Sequence, residues 1–333
     1  MAREDEYGAI EGLSVGASRE EVATPLTAAT IRWLVEENPA GKGFVVVAKV
    51  RADEQMVGYF LFYPKRLFVR GAPLDVFLYV TLFVAPEYRR VGVFSSMARY
   101  GLDLLKRAGV PFAYTVPNPR STPGFIKMGI GQIGLIPFWC SPTGPLGLAA
   151  NAASALGGFG VDVQEATAFD PTVAGLPPPR GAVVWGSRTV PELEWRFLRR
   201  PDTGYRIWNL CRRGELIGCA VSRAMHVDPF EANVLCDLWL RDDARPAAAA
   251  LLRRLRREGG GGLKGLVVAI GGHSGSYAPG ALLPAAMVPV PQRALPQPVA
   301  LIGGPIGDAA GESWMMPGGS GQWYVTPYDW DVF

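Results

Sequence analysis

The residues Val84-Ala85-Pro86-Glu87-Tyr88-Arg89-Arg90-Val91-Gly92-Val93-Phe94-Ser95 stand between an apolar run, Val76 to Phe83, and a helix-like segment, Ser95 to Arg107. The apolar run is rich in β-branched and aromatic residues, so it reads as a strand. The order is therefore strand, then a turn with two arginines and a glycine, then helix. Such a turn aims a helix N-terminus at one spot. The first helical N–H groups lack internal partners and the helix dipole is positive there, so the spot suits a phosphate.

A second stretch lies downstream. Val110 to Val116 is strand-like and is followed by Pro117-Asn118-Pro119-Arg120-Ser121, then by Gly124-Phe125-Ile126-Lys127-Met128-Gly129. Together the two stretches resemble the GNAT superfamily of N-acetyltransferases, whose pyrophosphate loop reads roughly Arg/Gln-x-x-Gly-x-Gly/Ala. Its later motif is an Asn after the fifth strand, a short helix and aromatic-x-Lys-x-Gly. The resemblance is specific over about residues 43–139. One departure is that Phe94 stands where the family has a small residue. A Phe is compatible with the loop if its side chain points into the core, because backbone N–H groups hold the pyrophosphate.

The resemblance implies acetyl-CoA, or another acyl-CoA, as cosubstrate. Leu82, Phe83 and Val84 would hold the pantetheine and polarise the thioester. Arg89, Arg90, Val91, Gly92, Val93, Phe94 and Ser95 would form the pyrophosphate loop. Asn118, Ser121 and Phe125 would contact the cofactor from the later motif. Acyl transfer to an amine needs a neutral nucleophile, a stabilised oxyanion and a stabilised or protonated leaving thiolate. Many relatives place Glu or His on the strand before the loop and Tyr at the aromatic-x-Lys-x-Gly site. Here the strand reads Phe77-Leu78-Tyr79-Val80-Thr81 and the later aromatic residue is Phe125. Replacement candidates are Tyr79 and Thr81 on that strand, Tyr114 on its neighbour, and the C-terminal stretch. In that stretch Trp323, Tyr324, Tyr328, Trp330 and Phe333 interleave with Asp329, Asp331 and the Phe333 carboxylate. One reading of so aromatic an end is that it docks between the halves of the molecule and presents a carboxylate to the acceptor. The alternatives are ordinary sheet packing for the three sheet residues and a final strand with solvated carboxylates for the tail. His226 and Asp228 form a weaker candidate pair.

The remaining sequence bounds the reading. A chain of 333 residues, 49% hydrophobic and 19% charged, is globular and long enough for two domains. A net charge of +3 supplies no field for nucleic acid or a membrane surface. Cys140, Cys211, Cys219 and Cys236 form no CxxC pair and the two histidines are not at metal spacing, so neither a metal site nor a disulfide framework is expected. Met1 to Glu6 is acidic, so no secretory signal is expected, and the apolar runs are too short to span a bilayer. A cytoplasmic protein, monomeric or homodimeric, follows as the expectation.

Thr24 to Glu37 reads as an amphipathic helix, with strands at Phe44 to Val50, Val57 to Phe62 and Leu74 to Val84. Residues 144–182, rich in Gly, Ala and Pro, read as a linker. A helix, strand, strand, strand, helix, strand order then recurs from Val183, with Asp242-Asp243-Ala244-Arg245-Pro246 in place of the arginine–glycine loop. The expected fold class is α/β, an α+β mixed sheet type. It comprises two tandem acetyltransferase-like domains, each a mostly antiparallel twisted sheet flanked by helices. The expected boundaries are 1–143 for the acyl-CoA domain and 183–333 for a degenerate half that shapes the acceptor site. Arg253, Arg254, Arg256 and Arg257 read as a solvated helix end. The function expected is direct acyl transfer, most simply acetyl, to a small-molecule amine. The alternatives are an inactive acyl-CoA-binding or regulatory protein, transfer of an unusual acyl group, and transfer to a hydroxyl.

Overall fold

The computed structural model describes residues 1–21, 26–201, 204–227, 230–258, 265–271, 277–295, 298–307 and 320–330. Helices α1 (Tyr7–Glu21) and α2 (Ala28–Val35) come first. Strands β1 (Phe44–Lys49), β2 (Met56–Val69) and β3 (Ala72–Val84) then form an antiparallel meander. Helix α3 (Val93–Arg107) crosses over to β4 (Phe112–Thr115), which lies parallel to β3. Helix α4 (Thr122–Lys127), β5 (Gly131–Leu135) and β6 (Phe138–Pro142) follow. The apolar face of α3 is Met97, Ala98 and Leu105, all buried. Gly101 on that face is a packing requirement, since a Cβ there would overlap the Phe62 ring.

Residues 144–182, expected as a linker, are folded: they contribute α5 (Gly144–Ala153) and β7 (Val161–Ala166), an edge strand against a later partner. Next come β8 (Val184–Gly186), α6 (Val190–Phe197) and a second meander, β9 (Arg206–Arg212), β10 (Glu215–Val227) and β11 (Phe230–Leu240). Helix α7 (Ala248–Glu258) crosses to β12 (Gly265–Ile270), parallel to β11. The chain continues through α8 (Tyr277–Leu282), β13 (Val288–Val290), β14 (Ala300–Pro305) and β15 (Trp323–Tyr324).

These strands make two mixed sheets flanked by helices. One runs β15-β8-β2-β3-β4-β14-β5, with β1 also on β2; the other runs β13-β6-β12-β11-β10-β9-β7. The sequences β1-β2-β3-β4-β14-β5 and β9-β10-β11-β12-β6-β13 match position for position, except that the strand beside β4 comes from late in the chain and the strand beside β12 from early in it. Each sheet thus contains a strand that follows the other sheet's order, and the expected boundaries at 143 and 183 do not coincide with the sheets. Pro137, directly before β6, cannot donate to a ladder and marks the crossing; its carbonyl accepts from Gly271 N at 2.8 Å.

The largest core lies between the sheets, where α1, α2 and α6 meet the C-terminal segment; Trp33 and Trp195 stack there with centroids 4.7 Å apart. Smaller cores lie under α3 and under α7. The basic end of α7 departs from the solvated reading. Arg256 is buried and donates to Ser141 Oγ at 2.8 Å and to the Ala285 carbonyl, and Arg253 donates to the Gly157 carbonyl at 2.8 Å. Arg254 and Arg257 stay exposed.

Candidate acyl-CoA site

β3 and β4 pair only at Phe77↔Ala113 and Leu78↔Tyr114. Beyond Leu78 the two strands part and leave a wedge. On its other side β3 bulges: pairing with β2 steps from Leu61↔Val80 to Tyr59↔Phe83, so Thr81 and Leu82 both oppose Phe60. Thr81 takes φ 49°, a left-handed conformation costly for a β-branched residue. Bulges of this kind re-aim a strand's groups, and Thr81 is exposed at the opening. Leu82 is half-buried while Phe83 and Val84 are buried, so they offer the wedge their backbone and not their side chains.

The loop leaves the strand through a 3-10 turn, Pro86–Tyr88. Arg89 fastens it from outside: its Nε donates to the Val84 carbonyl at 2.9 Å and its guanidinium lies 5.7 Å from the Phe83 ring centroid. Arg90 (φ 65°) and Gly92 (φ 91°) are both left-handed, which turns successive N–H groups toward one side, a concavity suited to anions. Gly92 is the N-cap of α3, and no side chain caps the helix. The first helical bond runs from Ser96 N to Gly92 O at 2.9 Å, leaving the N–H groups of Val93, Phe94 and Ser95 outside the helix ladder. Val91 is 72% exposed and takes no part in packing.

Phe94 turns inward. A Cβ on Gly124 would come within 2.6 Å of its ring, and it meets Phe125 edge-on at 5.1 Å. The missing small residue of the loop is therefore absorbed by a glycine on α4. Phe125 is itself buried against Phe60 and Tyr79, so it lines the floor rather than the surface. Asn118 and Ser121 engage each other: Asn118 Oδ1 accepts from Ser121 N at 2.9 Å and Arg120 N at 3.0 Å, and the Ser121 hydroxyl donates to it at 3.0 Å. They form the turn that starts α4 at the wedge's edge.

The catalytic candidates separate. Tyr79 is 2% exposed among Phe60, Phe62 and Phe125, and its hydroxyl has no hydrogen-bond partner among the described residues; burial pushes its pKa well up. Tyr114 lies on the opposite face of the sheet, buried, with its hydroxyl donating to the Asp329 carbonyl at 2.9 Å; burial raises its pKa well above the phenol range. Of the three sheet residues only Thr81 reaches the opening. Phe333 and Asp331 lie outside the described residues, as does Asp228. His226 is exposed and meets Glu231 at 2.7 Å.

The C-terminal segment docks between the sheets, and Trp323 to Trp330 are all buried. Asp329 is not solvated but sits in a buried cluster that the sequence did not reveal. Arg188 pairs with Asp237 through two contacts, 2.9 and 3.0 Å, and with Asp329 Oδ2 at 3.0 Å. Lys65 Nζ donates to the Tyr328 carbonyl at 3.0 Å. Arg196 holds the Pro327 and Trp330 carbonyls at 3.0 Å each. Burial works against the Arg188 charge, but Asp237 and Asp329 outweigh it and hold its pKa well above the ordinary value. Lys65, a charge on the buried side of the apolar β2 next to the exposed Arg66, was the available signal; Arg188 had none. Among the described residues no cluster of His, Cys, Asp or Glu could hold a metal ion, and no helix is long and apolar enough to cross a membrane.

Residues 20–133 match a family model described as an acetyltransferase (GNAT) domain. No curated protein matches the sequence. Among solved structures, a GCN5-related N-acetyltransferase from Anabaena variabilis is similar over 91% of this chain and 70% of its own, at 13% identity and TM-score 0.62. A probable N-acyltransferase of unknown function from Enterococcus faecalis is similar over 92% and 71%, at 13% identity and TM-score 0.60. Eis1 from Mycobacterium abscessus is similar over 87% and 69%, at 14% identity and TM-score 0.55. At these identities the likeness is one of fold. The match over residues 20–133 marks the chain as an acyltransferase that carries an acetyltransferase (GNAT) domain.

Proposed function

We propose that the protein transfers an acyl group, acetyl in the simplest case, directly from acyl-CoA to the amine of a small molecule. The observation that carries this reading is the wedge between β3 and β4 opening beside the uncapped N-terminus of α3. A pantetheine arm fits a strand edge whose N–H and C=O groups at Leu82, Phe83 and Val84 have no partner strand on that side. The pyrophosphate fits the N–H groups of Gly92 to Ser95, with Arg90 exposed beside them and Arg89 bracing the loop. Asn118 and Ser121 bound the same opening from α4. Oriented backbone donors at the thioester oxygen stabilise the charge that develops there, a contribution worth roughly 10²–10³ in rate where a single donor is removed.

No imidazole stands on β3, its one carboxylate, Asp75, is exposed and paired with Arg66, Asp329 is committed to Arg188, and Tyr79 and Tyr114 are buried. The reading therefore favours an acceptor that arrives largely neutral, a weakly basic amine. The equal strand orders of the two sheets support a tandem architecture in which the second half has lost the arginine–glycine loop and walls the acceptor site.

Calorimetry with acetyl-CoA followed by thiol release across a panel of amines of graded basicity tests this. Expected are saturable binding, loss of binding in Gly92→Glu, and fastest turnover with the least basic amines. Binding without turnover on any amine would instead support the non-enzymatic acyl-CoA-binding alternative, and absence of binding would defeat the reading.

A further inference from the structure

The two sheets open in the same way. β3 parts from β4 after Leu78, and β11 parts from β12 after Leu235. Each outer strand bulges near the parting: Thr81 and Leu82 in β3, and Cys236 in β11, where pairing with β10 steps from Ser222↔Leu235 to Val221↔Asp237. In the first sheet Thr81 stands exposed at the opening. In the second the opening is filled by residues 324–326. The Tyr324 hydroxyl donates to the Leu238 carbonyl, and its ring meets Trp239 edge-on at 5.4 Å. Thr326 Oγ1 donates to Asp237 Oδ1 at 2.8 Å. On the opposite wall, directly after β12, Gly271 has φ 108°, and a Cβ there would overlap the Val325 carbonyl.

We propose that the second wedge is a cofactor slot given over to the chain's own C-terminal segment, so that the protein holds one acyl-CoA, in the first wedge. The proposal rests on the reading of the first wedge as the acyl-CoA site. Tyr324 takes, on β11 past the parting, the kind of backbone contact that Leu82 to Val84 offer a pantetheine on β3. Where the first half follows its strand with Arg89, Arg90 and Gly92, the second follows with Arg241-Asp242-Asp243-Ala244-Arg245, in which Arg241 is taken up by Asp243 and no glycine opens the start of α7 to a phosphate. The occupant is also anchored beyond the wedge: after Thr326 it runs to Asp329, which Arg188 and Lys65 hold. The segment thus fills the second sheet's opening and then reaches β2 of the first.

Two measurements on the full chain test this. The first is calorimetric titration with acetyl-CoA. One site in the wild type and none in Gly92→Glu are expected; two sites, or one surviving in Gly92→Glu, overturn the proposal. The second needs no cofactor. Hydrogen exchange is followed in peptides covering 236–240 and 323–328, in the wild type and in Tyr324→Phe, a mild change that keeps the ring. Losing that one hydrogen bond is expected to speed exchange in both segments together by about 2–10-fold while 77–84 is unaffected. Unchanged exchange at 236–240 overturns the seat. A wild type that binds no acetyl-CoA would overturn the acyl-CoA reading and the one-cofactor claim with it, and the exchange result then judges the seat alone.

Discussion

Lys65 Nζ lies 3.4 Å from the centroid of the Tyr328 ring and 3.6 Å from Asp329 Oδ1. A cation on β2 of the first sheet thus grips the C-terminal segment through both a ring face and a carboxylate. Burial pushes the Lys65 pKa down to about 8, with Asp329 opposing. The residue is still protonated at pH 7. Because its folded pKa lies below its unfolded one, the native state binds fewer protons than the unfolded chain from about pH 8 up to the ordinary lysine range. The stability contributed by Lys65 therefore rises with pH across that window. In urea unfolding, the stability of the wild type relative to Lys65→Met should increase between pH 7 and pH 9.5. A gap that stays constant would show that Lys65 does not titrate as described.

Gly186 leaves the space that Asp329 occupies, since a Cβ there would overlap Asp329 Oδ1. The carboxylate cannot swing away without leaving Arg188. Gly186→Ala should cost about 1–3 kcal/mol. The cost should shrink in the background of Asp329→Ala, where the obstructing oxygen is gone. Additive costs in that double-mutant cycle would contradict the contact.

Tyr79 and Tyr114 make opposite predictions on losing their hydroxyls. Tyr114→Phe breaks the bond to the Asp329 carbonyl and should cost about 0.5–1.5 kcal/mol. Tyr79→Phe removes a buried donor without a partner among the described residues and should leave stability equal or higher. Neither should lower turnover by the roughly 10²–10⁴-fold expected of a positioned acid or base. A loss of that size in either variant would restore that tyrosine as a catalytic group.

Phe94 and Gly124 form a compensating pair, with the ring 2.6 Å from where a Cβ on Gly124 would stand. Gly124→Ala should destabilise by about 1–3 kcal/mol through overpacking. Phe94→Ala should accommodate Gly124→Ala, so the double variant should lose little beyond Phe94→Ala itself. Thermal unfolding of the three variants decides the matter.

The turn between β3 and α3 was legible because it is local. Strand, positive-φ glycine and amphipathic helix are set within about thirty residues, and α3 begins two residues before the expected Ser95. The second meander was legible for the same reason, its strands falling within a few residues of the apolar runs. Helix α1 was not, since Gly8 and Gly12 lower its propensity and blur its pattern. Strand β7 was hidden in a stretch whose glycines and prolines suggested a linker. The cluster of Lys65, Arg188, Asp237 and Asp329 joins residues as far as 264 positions apart (329 − 65), and no periodicity reports such a meeting. The Phe94 departure was explicable only once Gly124 was seen to receive the ring.

Strands β6 and β14 change the meaning of the two halves. Each completes the sheet that the rest of its neighbourhood in sequence does not build, so the halves are interlocked like clasped hands. Cutting the chain at a sequence midpoint would strip β4 or β12 of its antiparallel neighbour and expose a sheet interior as an edge, where unpaired backbone invites aggregation. The molecule should therefore unfold in one cooperative step. Either half expressed alone should be insoluble, while the two fragments produced together should recover each other. The wedge proposed for acyl-CoA has as one wall β4, whose other edge is paired by a strand made nearly two hundred residues later, so that wall is complete only once synthesis has passed β14.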